Sequence, residues 1–252
     1  GINAEYGESM DVFSYVEQLK QNIKDNKFKV SFIGVAGGSA SGKSSITEII
    51  KRYFAELKTV SVVNVDLFYK DRTEELVQRF NGKINWDDPY MIDESELLKC
   101  MEKLKNKEPV IIKKYDYTVS RHIDEDIIIE PADIIIVEGI FSYYWKSVRD
   151  LFKLRIFVDC CGEFRLMRRI MRDVKERGRT VEGVIEQYAT SVKPSFDKFI
   201  LPQRSYAHLV LPWENMGTNT NLEAVELLIN YISVLAQNSS RPVTPLNEKV
   251  IQ

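Results

Sequence analysis

The sequence has few cysteines and no long apolar run. Three of its 252 residues are cysteine: Cys100 stands alone, and Cys160 adjoins Cys161. An odd count without the spacing of a disulfide framework favours a reducing compartment. No uninterrupted apolar stretch approaches a bilayer span, and the first residues lack the basic-then-apolar layout of a signal peptide. We therefore expect a cytoplasmic protein without a membrane partner.

An excess of charge of either sign is also absent. The chain carries 35 lysines and arginines against 37 acidic residues, a formal net charge of −2. This balance gives no overall attraction to nucleic acid or to an anionic membrane, so we expect no nucleic-acid partner. The apolar fraction of 44% and the charged fraction of 29% are those of an ordinary globular protein, and the length allows one α/β domain with a sizeable core.

Short apolar runs rich in β-branched residues alternate with helical stretches along the chain. The runs span residues 27–36, 59–65, 132–137, 154–158 and 209–211. Buried strands that alternate with helices predict an α/β fold with a parallel central sheet covered on both faces.

The segments between and before these strands have patterns of their own. Residues 9–25 repeat apolar side chains at helical spacing and predict an amphipathic helix. Two β-rich runs within 110–129 predict a hairpin-like insertion. Residues 164–207 are polar and predict a long helical segment, broken at Pro194 and Pro202.

One segment has the spacing of a phosphate-binding loop. Residues 37–44 match G-x-x-x-x-G-K-[ST], in which glycines let backbone N–H groups turn inward around phosphates. Lys43 would add a charge for the β- and γ-phosphates, and Ser44 a hydroxyl for Mg²⁺. Glycine and serine clusters are usually plain turns, but here an apolar strand precedes the loop and an apolar-faced helix follows it. The residues predicted to contact the nucleotide are Gly37, Gly38, Ser39, Ala40, Ser41, Gly42, Lys43, Ser44 and Ser45.

Two acidic residues follow predicted strands. Asp66 comes after the strand at 59–65, and Glu138 after the strand at 132–137. Ligands of open α/β sheets bind beyond the carboxyl ends of the strands, where an acid can complete a Mg²⁺ shell or accept a proton from an attacking hydroxyl. An acid in this position can also merely cap the next helix.

A run of basic residues extends from Arg165 to Arg179. Arg165, Arg169 and Arg172 share one helix face. A solvated face or a nucleic-acid contact are the alternatives, but few acids are available to pair these arginines, and the chain is net acidic. Beside a phosphate-binding loop, the preferred interpretation is a lid whose guanidiniums close over the phosphates.

Six ordered motifs resemble the uridine/cytidine kinase family, within the phosphoribulokinase and uridine kinase group of P-loop kinases. The resemblance extends over roughly residues 30–235. The motifs are the loop 37–45, Asp66-Leu67-Phe68-Tyr69, Asn85-Trp86-Asp87-Asp88-Pro89, Tyr115-Asp116-Tyr117, Val137-Glu138-Gly139-Ile140, and the segment 168–194 with its arginines.

The resemblance implies a role for individual residues. Asp66 would be the catalytic group that orients and deprotonates a nucleoside 5′-hydroxyl, with Lys43 as the second catalytic residue. Ser44, Asp66 and Glu138 would lie at Mg²⁺, and Asp87 would bind the ribose hydroxyls.

Further positions would contact the base, the sugar and the phosphates. Trp86, Tyr115 and Tyr117 occupy aromatic positions that frame the base in the family, although core packing is the commoner fate of aromatic residues. The match also implies sugar-side and substrate-side contacts by Arg169, Arg179 and Gln187, and phosphate contacts in the lid by Arg172 and Arg177.

The sequence departs from the family at the base-reading position. Family members typically have a histidine five residues after the tyrosine that matches Tyr115, and Ser120 stands there in this chain. The segment 118–122 is one residue shorter, and His122 would be the substitute.

The resemblance implies a three-layer P-loop kinase fold with a β-hairpin insertion (about 108–131) and a helical arginine-rich lid (about 161–207). The kinase domain would span residues 27–236. An N-terminal helical extension (1–26) would precede it, and a flexible tail (237–252) would follow it. It implies transfer from ATP or GTP with Mg²⁺ to uridine or cytidine in pyrimidine salvage, by a homodimer or homotetramer. A same-fold kinase of a sugar phosphate or vitamin and a non-catalytic nucleotide-binding regulatory domain are the alternatives; Lys113, Lys114 and Arg121 would suit a phosphorylated acceptor.

Overall fold

A five-stranded parallel sheet in the order β2-β5-β1-β6-β7 forms the centre of the fold. The computed structural model describes residues 31–57, 59–214 and 221–236. The strands of the sheet are β1 (Ser31–Gly37), β2 (Val60–Asn64), β5 (Ile134–Glu138), β6 (Leu154–Asp159) and β7 (Leu209–Pro212). The parallel sheet predicted from the alternating runs is confirmed. The predicted helix at 9–25 and the predicted tail at 237–252 lie outside the described residues.

Side chains of β1 alternate between the two faces of the sheet, and each face has its own apolar core. Phe32 packs into one core, which includes the hairpin, and Ile33 packs into the other. No helix within the described ranges is long and apolar enough to cross a membrane. The helices are α1 (Lys43–Phe54), α2 (Glu74–Arg79), α3 (Glu94–Lys105), α4 (Lys146–Arg149), α5 (Gly162–Arg177), α6 (Val181–Gln187) and α7 (Leu222–Ala236).

The insertion is an antiparallel hairpin of β3 (Val110–Asp116) and β4 (Arg121–Ile129). Its inner residues, such as Val110 and Ile129, belong to the same core as Phe32. Helix α3 packs beneath the hairpin. Its N-cap residue is Asp93, whose side chain accepts a hydrogen bond from the Glu96 N–H. The hairpin therefore has a fixed base on the body of the domain.

The helical segment after β6 is less interrupted than its prolines predict. Helical turns continue through 188–206, past Pro194 and Pro202. The prediction of a break at these prolines is therefore wrong. Wider π-helical turns at Tyr188–Val192 and Phe196–Ile200 change the hydrogen-bond spacing on either side of Pro194, so a missing N–H need not end the helix.

Candidate active site

The loop between β1 and α1 closes tightly around its own backbone. Gly42 has φ 104°, and a Cβ on this residue would lie 2.2 Å from the Trp213 ring. Glycine is therefore required here both by conformation and by space. The Lys43 ammonium donates to the Gly38 carbonyl at 2.9 Å, which folds the side chain back over the loop. The loop residues and the first turn of α1 form one wall of an open pocket of about 450 Å³, the phosphate pocket.

Lys43, Asp66 and Glu138 form the electrostatic centre of the phosphate pocket. Burial lowers the pKa of Lys43, and the carboxylates of Glu138 and Asp66 partly oppose this shift. Burial also raises the pKa of Glu138, against the opposing effect of Lys43. Lys43 and Glu138 are thus both desolvated, and each stabilises the charge of the other, while Asp66 favours the charged form of Lys43 and disfavours that of Glu138.

Ser44 and Glu138 are side chains of the phosphate pocket that could hold a magnesium ion. The Ser44 hydroxyl donates to both carboxylate oxygens of Glu138, at 3.3 and 3.2 Å. Within the described ranges no three His, Cys, Asp or Glu side chains gather as a metal cluster. Magnesium in phosphoryl-transfer sites uses few protein ligands and keeps waters and phosphate oxygens, so a hydroxyl and one or two carboxylates fit it.

Asp66 stands in a 3₁₀ turn (Val65–Phe68) directly after β2. The Asn64 side chain accepts a hydrogen bond from the Asp66 N–H at 2.9 Å and fixes the turn. The Tyr117 hydroxyl donates to Asp66 Oδ2 at 2.9 Å, and the Arg177 guanidinium lies 4.8 Å from the Tyr117 ring centre. The structure therefore joins Tyr117 to the Asp66 carboxylate, and because its ring also lies 5.6 Å from that of Tyr115, its contact with a base stays a prediction.

A second, smaller cavity of about 110 Å³, the acceptor pocket, adjoins the phosphate pocket. Asp87 is 8% exposed, and burial raises its pKa, while Arg169 opposes the shift. The side chain of Asn85 holds the segment around Asp87 in place. Its amide oxygen accepts a hydrogen bond from the Asp87 N–H, and its amide nitrogen donates one to the Ser195 hydroxyl. A buried carboxylate with this little protein hydrogen bonding suits a ligand that brings hydroxyl donors.

Aromatic rings form the far end of the acceptor pocket. Trp86 and Tyr115 lie 6.5 Å apart between ring centres, and Tyr69 lies 5.5 Å from Tyr115. The predicted aromatic positions are thus brought together as a wall of the cavity. A larger open cleft of about 930 Å³ between α3 and the hairpin shares Tyr69 but includes neither the loop at 37–45 nor Asp66.

Arginines of α5 and the following turn surround one acid that the sequence argument underrated. Asp173 is fully buried, and its carboxylate lies 2.9 to 3.6 Å from the nearest guanidinium nitrogens. One carboxylate cannot neutralise four cations, so the cluster keeps a net positive charge. The guanidiniums belong to Arg169, Arg172, Arg177 and Arg179.

The arginine cluster divides between the two pockets. Arg172 and Arg177 line both cavities, whereas Arg179 lines only the acceptor pocket of the two. Arg169 donates to the Ser39 hydroxyl at 2.8 Å and to Gln187 at 3.1 Å. Gln187 also accepts from Arg179 at 2.7 Å. These residues, all predicted, therefore form one hydrogen-bonded layer over the loop.

His122 is the predicted site residue that the structure does not bring into the acceptor pocket. Its ring nitrogens lie 2.7 Å from the Asp71 carboxylate and 2.9 Å from the Leu67 carbonyl oxygen. The ring packs edge-on against Tyr115, and Ser120 lines the pocket instead.

The structure gives roles to three residues that had none of their own in the sequence analysis. Arg168 donates to carbonyl oxygens of the loop at 37–45 and to that of Trp213. Trp213 covers Gly42, and Asp173 gathers the arginines. Arg168 and Asp173 lie in the basic run that was singled out in the sequence, where Asp173 is one of two acids. The contact of Trp213 depends on the distant β7 and could not be predicted locally.

The sequence matches the phosphoribulokinase/uridine kinase family over residues 32–219. Uridine-cytidine kinase 2-B of Danio rerio is 38% identical over 207 residues, 79% of this chain and 78% of that protein. A uridine kinase of Macrococcus caseolyticus is 37% identical over 209 residues, 83% of this chain and 98% of that protein. Uridine kinase-like protein 5 of Arabidopsis thaliana is 40% identical over 200 residues, but this chain spans only 42% of its length.

Solved structures show the same fold at much lower identity. Phosphoribulokinase from Rhodobacter spheroides has a TM-score of 0.54 at 15% identity, and the match covers 74% of this chain and 71% of that chain. A possible uridine kinase from Bacillus stearothermophilus has a TM-score of 0.53 at 17% identity, over 80% of this chain and all of that chain. Together with the family match and the curated relatives, these findings show that the chain belongs to the phosphoribulokinase/uridine kinase family.

Proposed function

We propose that the chain is a nucleoside kinase that transfers the γ-phosphoryl group of ATP to the 5′-hydroxyl of uridine or cytidine. The observation that carries this proposal is the place of Asp66, which lines both the phosphate pocket and the acceptor pocket. A carboxylate at this junction can hold an acceptor hydroxyl against a phosphoryl group bound next door. The names of the bacterial and zebrafish relatives support the choice of acceptor.

The reaction needs one proton acceptor and much positive charge. The 5′-oxygen forms a bond to the γ-phosphorus as the bond from that phosphorus to the β–γ bridging oxygen breaks, and ADP leaves. Asp66 takes the hydroxyl proton, while the Tyr117 hydroxyl holds the carboxylate in place. Lys43 and the guanidiniums of Arg172 and Arg177 stabilise charge on the transferring group.

The proposal includes Mg²⁺ bound with the nucleotide at Ser44 and Glu138, next to Asp66. When bound, the ion would neutralise charge on the β- and γ-phosphate oxygens. GTP in place of ATP would use the same protein groups.

The hairpin lysines that would suit a phosphorylated acceptor lie outside the acceptor pocket. Lys113 is paired with Asp124 and Asp126 on the exposed side of the hairpin, and Lys114 with Glu125. Neither lysine lines the acceptor pocket, so neither offers a ready site for a sugar phosphate. A purely regulatory nucleotide-binding role would not explain why Asp66 lines both the phosphate pocket and the acceptor pocket.

The other predictions remain proposals. We propose a role in pyrimidine salvage in the cytoplasm, a kinase domain at 27–236 with a lid at 161–207, and a homodimer or homotetramer. Each rests on the sequence and its resemblance alone.

A coupled ADP-release assay across acceptors tests the proposal. We expect Mg²⁺-dependent turnover with uridine and cytidine, and little with adenosine, ribulose 5-phosphate, pantothenate or nicotinamide riboside. Asp66→Asn should lower kcat by about 10²–10⁴-fold because it removes the proton acceptor at constant size. Asp124→Asn, on the exposed hairpin surface, is the matched control and should keep full activity. Turnover of another alcohol in preference to both pyrimidine nucleosides would reject the assignment.

A further inference from the structure

The acceptor pocket shares part of its lining with a second cavity. At about 110 Å³ the pocket is smaller than the ~300–1,000 Å³ that small-molecule sites usually have. An outer, open cavity of about 530 Å³ adjoins it. The residues that line both are Trp86, Ser120, Arg179 and Gln187.

The outer cavity lies at the end of the acceptor pocket away from the reacting groups. Its lining includes neither Asp66 nor Arg172 nor Arg177, which mark the phosphate side. It includes Trp86, which belongs to the aromatic wall. With a nucleoside bound by its 5′-hydroxyl at Asp66, the base would therefore face the outer cavity.

The hairpin tip lies where the two cavities share their lining. Ser120 has the smallest side chain of the four shared residues, so the boundary beside it, here called the passage, is where a ligand in one cavity would reach the other. Ser120 has φ 54°, and its carbonyl oxygen accepts a hydrogen bond from the Arg72 N–H at 2.9 Å. The His122 N–H donates to the Asp71 carboxylate at 2.8 Å. These bonds hold the tip against the loop after β2 and fix the position of Ser120.

The outer cavity has a free positive charge. Lys83 and Glu186 pair with each other at 3.1 Å. The Arg72 guanidinium makes no hydrogen bond or ion pair with the described residues, and it lines the outer cavity but not the acceptor pocket. Val77 and Ile84 supply apolar surface beside it.

We propose that this kinase accepts pyrimidine nucleosides whose base carries a substituent ending in a carboxylate, with the substituent in the outer cavity and the carboxylate at Arg72. The proposal rests on the nucleoside kinase function proposed above and defines its acceptors more closely. Ser120 sets the access to the cavity, and Arg72 sets the preference for negative charge.

The test compares kcat/KM for five acceptors by ADP release: uridine, uridine with a carboxymethyl group on C5, cytidine with a carboxymethyl group on N4, and the methyl esters of the two acids as neutral counterparts. We expect at least one acid to be used about as well as uridine, and better than its ester. Arg72→Gln should remove the advantage of the acid over the ester, whereas Arg121→Gln, on the exposed edge of the hairpin, should leave it unchanged.

Ser120→His tests the passage itself. Histidine tolerates a positive φ better than most residues, so the hairpin tip should keep its conformation, which the melting temperature checks. We expect the ratio of kcat/KM for acid over uridine to fall roughly tenfold or more, because the larger ring fills the passage.

Each result decides between the two proposals. Use of uridine with rejection of both substituted nucleosides in the parent protein would overturn the outer-cavity proposal and leave the kinase function standing. Equal kcat/KM values for each acid and its ester, unchanged in Arg72→Gln, would overturn the proposed role of the Arg72 charge. An unchanged acid-to-uridine ratio in Ser120→His would overturn the passage. Turnover of no nucleoside at all would instead reject the proposed function.

Discussion

At the scale of single residues, Glu138 illustrates the conflict between folding and ligand binding. Burial raises its pKa, and Lys43 only partly compensates. A carboxyl group whose pKa is higher in the folded than in the unfolded chain stabilises the fold most below its unfolded-state pKa, and this contribution is lost as the pH rises through the folded-state value. Ionisation of Glu138 therefore destabilises the ligand-free protein.

Glu138→Gln should accordingly raise the melting temperature of the ligand-free protein at pH 7, and the gain over the parent should shrink toward pH 4. The same change should lower kcat by about 10²–10³-fold, as loss of a charge-stabilising contact commonly does. Thermal denaturation against pH checks the first part and steady-state kinetics the second, with Glu130→Gln on the surface as control for both. A variant less stable than the parent at pH 7 would contradict the account of its pKa.

Lys43→Ala is expected to remove activity and keep the fold. Burial lowers the pKa of Lys43, so the charged lysine does not stabilise the fold by its burial. The loop is shaped by its glycines and its backbone hydrogen bonds. We expect a loss of about 10²–10³ in kcat and little change in melting temperature. Lys51→Ala, exposed on the same helix, is the control. A near-normal rate in Lys43→Ala would refute the role of the loop in phosphoryl transfer.

Asp173→Asn should lower the stability of the ligand-free protein and increase the stabilisation that ATP provides on binding. Removal of one partner from a buried ion pair typically costs about 3–5 kcal/mol, because the remaining charges are uncompensated. Bound phosphates would supply the missing negative charge, so ATP with Mg²⁺ should raise the melting temperature of the variant more than that of the parent. Asp159→Asn, from an exposed pair with Arg204, should change neither quantity much. Equal shifts in parent and variant would show that Asp173 only supports packing.

At the scale of elements, the hairpin is tied to the loop after β2 through His122. Because its ring contacts Asp71 and Leu67 rather than the acceptor pocket, His122→Ala should loosen the hairpin without changing base preference. We expect KM for uridine and cytidine to rise by a similar factor, about 5- to 30-fold, as expected for loss of one or two hydrogen bonds worth ~1 kcal/mol each. Steady-state kinetics with both nucleosides separates the cases, since a loss confined to one base would indicate direct base reading.

The elements of the sheet could be predicted because their signals are local. Runs of β-branched residues give β2 and β5, and Asp93 with Glu96 gives the start of α3. The continuous helical segment around Pro194 could not be predicted, because π-helical turns have no distinct sequence pattern. The contact of Tyr117 with Asp66 was equally hidden, because Tyr117 lies in the turn after β3 and reaches a residue that is distant in the sequence.

At the scale of the whole molecule, the candidate site depends on contacts between distant segments. The acids after β2 and β5 come together because parallel strands end at the same edge of the sheet, and this rule made Asp66 and Glu138 predictable. No such rule places α5 and α6 over the loop, so the gathering of arginines around Asp173 and the outer cavity beside Ser120 became visible only in three dimensions.

The central claim is that Asp66 presents a nucleoside 5′-hydroxyl to the phosphoryl group. The most direct measurement compares uridine with 5′-deoxyuridine, which lacks only that hydroxyl, by ³¹P NMR of the products and by inhibition kinetics. We expect uridine to give the 5′-monophosphate alone, and 5′-deoxyuridine to give no phosphorylated product while competing with uridine. Phosphate transfer to 5′-deoxyuridine, or to the 2′- or 3′-hydroxyl of uridine, would contradict the account.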